Sequence, residues 1–199
     1  MYKLLIDAGN TRIKAALMDL EGHVEPLFNT TYDELQNESL NLDLSAVWLG
    51  AVAGNVKRDM IEAWLIRQQK TVVPIHEVHS ERDAFGVKNA YAAPEKLGVD
   101  RWLAMLGAFN EQQKPTVIVD AGTAITVDWV DAEGCHLGGW IAPGVELMKQ
   151  AVLQRAPKVF DDNQQLYGRA NQLGTSTPDG LLDGCVNSFA GLVRQALYV

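Results

Sequence analysis

Apolar and polar positions fall in short blocks along most of this chain, punctuated by Gly and Asn. Tyr2–Ile6 is an apolar run that predicts a strand, and Gly9-Asn10 is a turn signal. Across Thr11–Asp19 the residues Ile13, Ala15 and Leu17 share one face, as in the return strand of a hairpin. Val24–Phe28 predicts a third strand after the Glu21-Gly22 turn. A polar helix is expected over Tyr32–Leu40 and a strand over Val47–Val52. Lys57–Gln69 carries Met60, Ile61, Trp64 and Leu65 at helical spacing, and Val72–Val78 predicts another strand. Ser80–Pro94 is loop-like. Glu95–Phe109 predicts a helix that buries Leu97, Leu103, Leu106 and Phe109.

Lys114-Pro115 then breaks the pattern, and a domain boundary is expected there, with lobes over 1–113 and 114–199. The second lobe opens as the first does. Thr116–Val119 is a strand, Ala121-Gly122 a turn and Ala124–Val130 the return strand. Leu137–Ala142 predicts a strand ending at Pro143-Gly144, and Val145–Arg155 a helix. Asp161–Thr177 is polar and loop-rich, and Pro178–Val199 predicts a helix running to the last residue.

The two openings read "LLIDAGNTRIKAAL" and "VIVDAGTAITVDWV". Each is an apolar strand ending in Asp-Ala-Gly, a small polar residue and a second apolar strand. The recurrence is too long for a solenoid and suits one half of a doubled α/β domain. It predicts a duplicated ribonuclease-H-like (actin-like, ASKHA) fold, with two lobes around a nucleotide cleft. A tight Gly turn exposes consecutive backbone N–H groups, a concavity that suits anions. Gly9 and Gly122 carry no Cβ to hold phosphate oxygens away. Asn10, Thr11, Thr123 and Thr126 add neutral donors, and Lys14 a positive charge. Asp7 and Asp120 stand where a carboxylate can hold a hydrated Mg²⁺ against phosphates. The same residues also fit plainer roles. Both aspartates can cap turns, Lys14 can be a solvated strand lysine, and Thr126 and Asp128 can face outward.

Composition narrows the function. The chain has 199 residues, 47% of them hydrophobic and 21% charged, which suits a globular protein with a core of its own. A formal net charge of −8 disfavours nucleic acid and anionic membrane surfaces as partners. No apolar stretch approaches the ~20 residues of a membrane span. Cys135 and Cys185 form no C-x-x-C pair and no signal peptide pattern precedes the first strand, so the cytoplasm is the expected compartment. His76 and His79 fall on opposite faces of a strand, without the further ligands zinc needs. The five tryptophans lie beside apolar neighbours and read as packing residues.

Two further stretches, "YAAPEKLGVDRWLA" (Tyr91–Ala104) and "GGWIAPG" (Gly138–Gly144), join the two Asp-Ala-Gly turns in order, with "TSTPDGLLDG" downstream. Together they resemble the type III pantothenate kinases from Leu4 to about Gly184. The resemblance implies phosphorylation of pantothenate by ATP, the first step of coenzyme A synthesis. It also implies Mg²⁺, a monovalent cation such as K⁺ or NH₄⁺, and a homodimer. Asp100 matches the family's general base. Tyr91, Gly98 and Arg101 match acceptor-side positions, and Thr177 a threonine that approaches the substrate. Val99 stands there in place of the family's usual small residue. Asp7, Gly9, Asn10, Thr11 and Lys14 match the first phosphate motif. Asp120, Gly122 and Thr123 match the second, with Asp120 near the monovalent cation. Family members continue past the last helix into another strand, a glycine-rich turn and a closing helix. This chain stops at Tyr198-Val199, so the second lobe is expected to be shortened. Two other readings stand beside this one: a related small-molecule kinase with another acceptor, and a non-catalytic, regulatory nucleotide-binding protein of the same fold.

Overall fold

The computed structural model describes residues 1–51, 55–69, 72–156 and 168–199. They form two compact units, Met1–Arg82 with Tyr91–Leu103, and Asp83–Ala90 with Ala104–Val199. The division falls inside a helix, upstream of the Lys114-Pro115 break. Val52 and residues 161–167, where a strand end and a loop are expected, lie outside the described residues.

The first unit carries β1 (Tyr2–Ala8), β2 (Arg12–Met18), β3 (Val24–Thr31), β4 (Leu44–Ala51), α1 (Asn55–Gln68) and β5 (Ile75–Val78). The strands order as β3-β2-β1-β4-β5. The first three are antiparallel, and β4 and β5 run parallel to β1. That order is the ribonuclease-H-like half expected from the repeat. Strand alternation sends Leu4, Ile6, Ala8, Ile13, Ala15, Val47 and Leu49 to one face, where they bury against Ile61, Trp64 and Leu65 of α1. Trp64 is 1% exposed, and its truncation to Ala would cost about 3–5 kcal/mol.

The polar helix expected over Tyr32–Leu40 does not form, and only a 3₁₀ turn spans Leu35–Asn37. Tyr32, Leu35 and Leu40 are drawn into the core instead. Side chains of α1 take the backbone groups a helix would have used. Trp64 Nε1 donates to the Glu38 carbonyl at 3.0 Å, and the Leu40 N–H donates to Gln68 Oε1 at 2.9 Å. Tertiary packing overrides local propensity here.

The other face of the sheet bears a cavity of about 700 Å³, lined by apolar Leu5, Ala16, Trp48 and Leu103, with Asp7 and Lys14 among its residues. Leu103 belongs to α2 (Val99–Gln112), which begins in the first unit and ends in the second. The helix expected from Glu95 starts later. Pro94–Lys96 is a separate 3₁₀ turn, Leu97 is extended, and the Gly98 carbonyl accepts the Trp102 N–H at 3.0 Å. Its buried stripe is therefore Trp102, Met105, Leu106 and Phe109, while Leu103 stays 40% exposed.

The second unit holds the short hairpin β6 (Asp83–Ala84) and β7 (Val87–Lys88), then β8 (Thr116–Ala121), β9 (Ala124–Val130), β10 (His136–Pro143), α3 (Val145–Arg155) and α4 (Thr177–Ala196). Its sheet is antiparallel β10-β9-β8, the first three strands of the same order. Ile125, Val127 and Ala196 form its core, with Trp129, Trp140, Phe189 and Leu192 packed around them. Trp129 Nε1 donates to the Ala196 carbonyl at 3.1 Å, and Leu197 and Tyr198 turn back on Arg194 and Gln195. Thus α4 ends at Ala196 rather than at Val199. Among the described residues no helix is long and apolar enough to cross a membrane.

Candidate active site

Asp7 is the next-to-last residue of β1, and pairing places it opposite Lys14 on β2 and Gly50 on β4. Lys14 Nζ lies 3.7 Å from Asp7 Oδ2, with both side chains more than half exposed. Such an exposed pair is worth little to stability, about 0–1 kcal/mol. The Gly9 N–H donates to the Arg12 carbonyl at 3.0 Å and closes the turn. Tyr32 Oη donates to the Gly9 carbonyl at 2.6 Å, and Lys57 Nζ donates to the Asn10 carbonyl. Lys57 also sits 4.7 Å from the centre of the Tyr32 ring. Burial, reinforced by the Asp7 charge, holds the Tyr32 phenol above its ordinary pKa, so it stays a proton donor. Asn10 and Thr11 lie exposed at the tip.

The stretch from Tyr91 to Arg101 comes together at the first turn of α2. Arg101 is only 6% exposed, which sets aside a plain surface Asp-Arg pair. Its Nη1 donates to Tyr91 Oη at 3.1 Å, and its guanidinium carbon lies 5.9 Å from the centre of the Tyr91 ring. Asp100 is exposed, and its Oδ1 accepts the Arg101 N–H at 2.8 Å. A Cβ at Gly98 would lie 2.5 Å from that same Oδ1, so only glycine leaves the carboxylate where it is. Val99 is turned inward, 9% exposed. The loop before the helix is clamped from one side. Arg82 donates to the carbonyls of Tyr91 and Ala92, both at 2.8 Å, and Ser80 Oγ donates to the Leu97 carbonyl at 2.8 Å.

In the second unit Asp120 stands next to last in β8, opposite Thr126 on β9. Asp120, Gly122 and Thr123 are exposed. The Gly122 N–H donates to the Ala124 carbonyl at 3.0 Å, and the Gly144 N–H donates to the Thr123 carbonyl at 2.9 Å. Gly144 is also the residue that caps the start of α3. A Cβ there would lie 2.2 Å from the Gly122 carbonyl oxygen and 2.6 Å from that of Thr123. The tail of "GGWIAPG" thus presses a helix start against the turn. Asp128 faces inward, 2% exposed, and meets the buried His136 Nε2 at 2.9 Å. The Ala90 N–H donates to His136 Nδ1 at 3.4 Å. Thr177 is exposed at the first turn of α4, where Ser176 caps the helix by accepting the Asp179 N–H.

The motifs named every residue of the two turns and of the α2 start, but not their supports. Tyr32, Lys57, Ser80 and Arg82 went unread.

A sequence model of the type III pantothenate kinase family matches residues 3–198. A type III pantothenate kinase of Pseudoalteromonas translucida is 35% identical over 196 residues, covering 98% of this chain and 77% of that protein. One of Methylobacillus flagellatus is 34% identical over 205 residues, covering 98% and 76%. Among solved structures, a protein described as a conserved putative Baf family transcriptional activator from Campylobacter jejuni matches with a TM-score of 0.59 at 23% identity. That match covers 97% of this chain and 78% of that one, a likeness of fold.

Proposed function

This chain belongs to the type III pantothenate kinase family and phosphorylates pantothenate with ATP, the first step of coenzyme A synthesis; we propose that Asp100 is the base that accepts the hydroxyl proton. The observation that carries the proposal is the start of α2. There an exposed carboxylate is held by the next residue's N–H, given room by Gly98 and flanked by the Arg101–Tyr91 contact. As the primary hydroxyl of pantothenate attacks the γ-phosphorus, its proton passes to the Asp100 carboxylate. The bond from the γ-phosphorus to its bridging oxygen breaks, and ADP leaves. Tyr91, Gly98, Val99 and Arg101 shape the acceptor side in this reading, and Thr177 contributes from α4.

Asp7, Gly9, Asn10, Thr11 and Lys14 are proposed phosphate ligands, as are Gly122 and Thr123. The exposed tips of the two turns, Asn10-Thr11 and Gly122-Thr123, and the Lys14 ammonium support that role. The exposed carboxylates of Asp7 and Asp120 are the hard oxygen donors that suit a hydrated Mg²⁺ and a monovalent cation, K⁺ or NH₄⁺, respectively. Those ions would neutralise phosphate charge. A homodimer in the cytoplasm completes the proposal on the strength of the family resemblance.

The test is release of ADP with pantothenate, a sugar or acetate as acceptor, each with Mg²⁺ and with K⁺, NH₄⁺ or Na⁺. Turnover on pantothenate alone, stimulated by K⁺ or NH₄⁺, is expected. Equal turnover on the other acceptors, or none with pantothenate under every cation, would overturn the reading.

A further inference from the structure

The first Asp-Ala-Gly turn is held from beneath by two side chains that its motif does not contain. Tyr32 Oη donates to the Gly9 carbonyl at 2.6 Å, and Lys57 Nζ donates to the Asn10 carbonyl. The two supports also hold each other, since the Lys57 ammonium lies 4.7 Å from the centre of the Tyr32 ring. Tyr32 is 8% exposed and anchored in the core with Leu35 and Leu40, so its hydroxyl has a fixed origin. Lys57 comes from the first turns of α1, which follows the strand parallel to β1.

Peptide planarity turns these bonds into a statement about the other side of the turn. The described chain has no cis peptide bonds. In a trans peptide unit the carbonyl of one residue and the N–H of the next point in opposite directions. Pinning the Gly9 carbonyl on Tyr32 therefore aims the Asn10 N–H away from Tyr32. Pinning the Asn10 carbonyl on Lys57 aims the Thr11 N–H away from Lys57. Two successive N–H groups are thus oriented by side chains on the opposite side, the arrangement that makes a backbone nest for an anion. Lys14 does not do this, because its ammonium faces Asp7.

We infer that Lys57 and Tyr32 are positioning residues for ATP: they orient the Asn10 and Thr11 N–H groups toward the nucleotide's phosphates by holding the preceding carbonyls. This rests on the reading of the first turn as a phosphate site. The Lys57 ammonium acts through the Asn10 peptide and does not itself touch the nucleotide. The inference separates this role from stability, because it makes the effect specific to one substrate.

The experiment uses the full chain and varies ATP and pantothenate independently in Lys57→Met, Lys57→Arg, Tyr32→Phe and Gly9→Val, with melting temperature as a check on folding. Binding of a non-hydrolysable ATP analogue is measured alongside. Lys57→Met should raise the KM for ATP and weaken the analogue about tenfold, with the KM for pantothenate unchanged. Tyr32→Phe should do the same by a few fold, and Lys57→Arg should recover most of the loss. A folded Lys57→Met protein with unchanged ATP parameters, or one in which both KM values move together, overturns the inference. Gly9→Val separates the two levels. If it too leaves ATP binding intact, the turn is not a phosphate site and the underlying reading fails. If it abolishes ATP binding while Lys57→Met does not, only the positioning role fails.

Discussion

The two Asp-Ala-Gly turns read almost alike in sequence and are held in different ways. In the first, side chains from distant elements hold the carbonyls, Tyr32 on Gly9 and Lys57 on Asn10. In the second, backbone does the holding, with the Gly144 N–H on the Thr123 carbonyl at the start of α3. A side-chain support can be altered by point substitution without moving the main chain. A backbone support cannot. One motif therefore hides two mechanical designs, and the first turn should tolerate change in stability while losing function, whereas the second should lose both.

Substitution of the glycines sharpens that contrast. Gly144→Ala has the largest expected effect on stability, because its Cβ would stand 2.2 Å from a carbonyl oxygen that belongs to backbone. A loss of about 2 kcal/mol or more is expected, read as a fall in Tm of roughly 4–8 °C. An unchanged Tm would mean that α3 and the turn are not rigidly joined. Gly9→Ala meets only the Arg12 carbonyl at 3.2 Å. Its cost in stability should stay below about 1 kcal/mol, yet its KM for ATP should rise by roughly tenfold or more. Equal losses of stability in the two variants would erase the distinction.

Acid gives the smallest of these effects, read at an ion pair of the second unit. Asp183 of α4 is buried, and its side-chain and backbone hydrogen bonds from Arg169, at 3.1 and 2.7 Å, hold its carboxyl below the usual carboxylate range. A depressed folded pKa stabilises the fold above the unfolded value of ~3.9. That contribution is lost as pH falls through the lower folded value. The Tm of the native chain should therefore drop more steeply below about pH 4 than that of Asp183→Asn. Parallel curves would show that this ion pair carries no weight.

Much of the fold was legible because strands alternate. Ile13 and Ala15 bury while Lys14 between them stays exposed, and the register follows. The Tyr32–Leu40 segment departs from the expected helix because its backbone groups at Glu38 and Leu40 answer to Trp64 and Gln68, not to one another. The start of α2 was misplaced because the Pro94 turn and the Gly98 cap sit within one apolar-periodic stretch. Asp100, Arg101 and Tyr91 were readable as a motif. Arg101's burial was not, since Arg is rarely buried and its partner Tyr91 precedes the helix. Tyr32 and Lys57 escaped because they lie 23 and 47 positions from the carbonyls they hold. No local spacing encodes such a contact.

The central claim concerns Asp100 more than either turn, and Asp100→Asn tests it most directly. The change keeps size and an acceptor oxygen for the Arg101 N–H but removes the site that takes the proton. Steady-state turnover of pantothenate should fall by about 10²–10⁴, while binding of pantothenate and of an ATP analogue stays near that of the native chain. Turnover within a few fold of the native value, with both ligands still bound, would contradict the account.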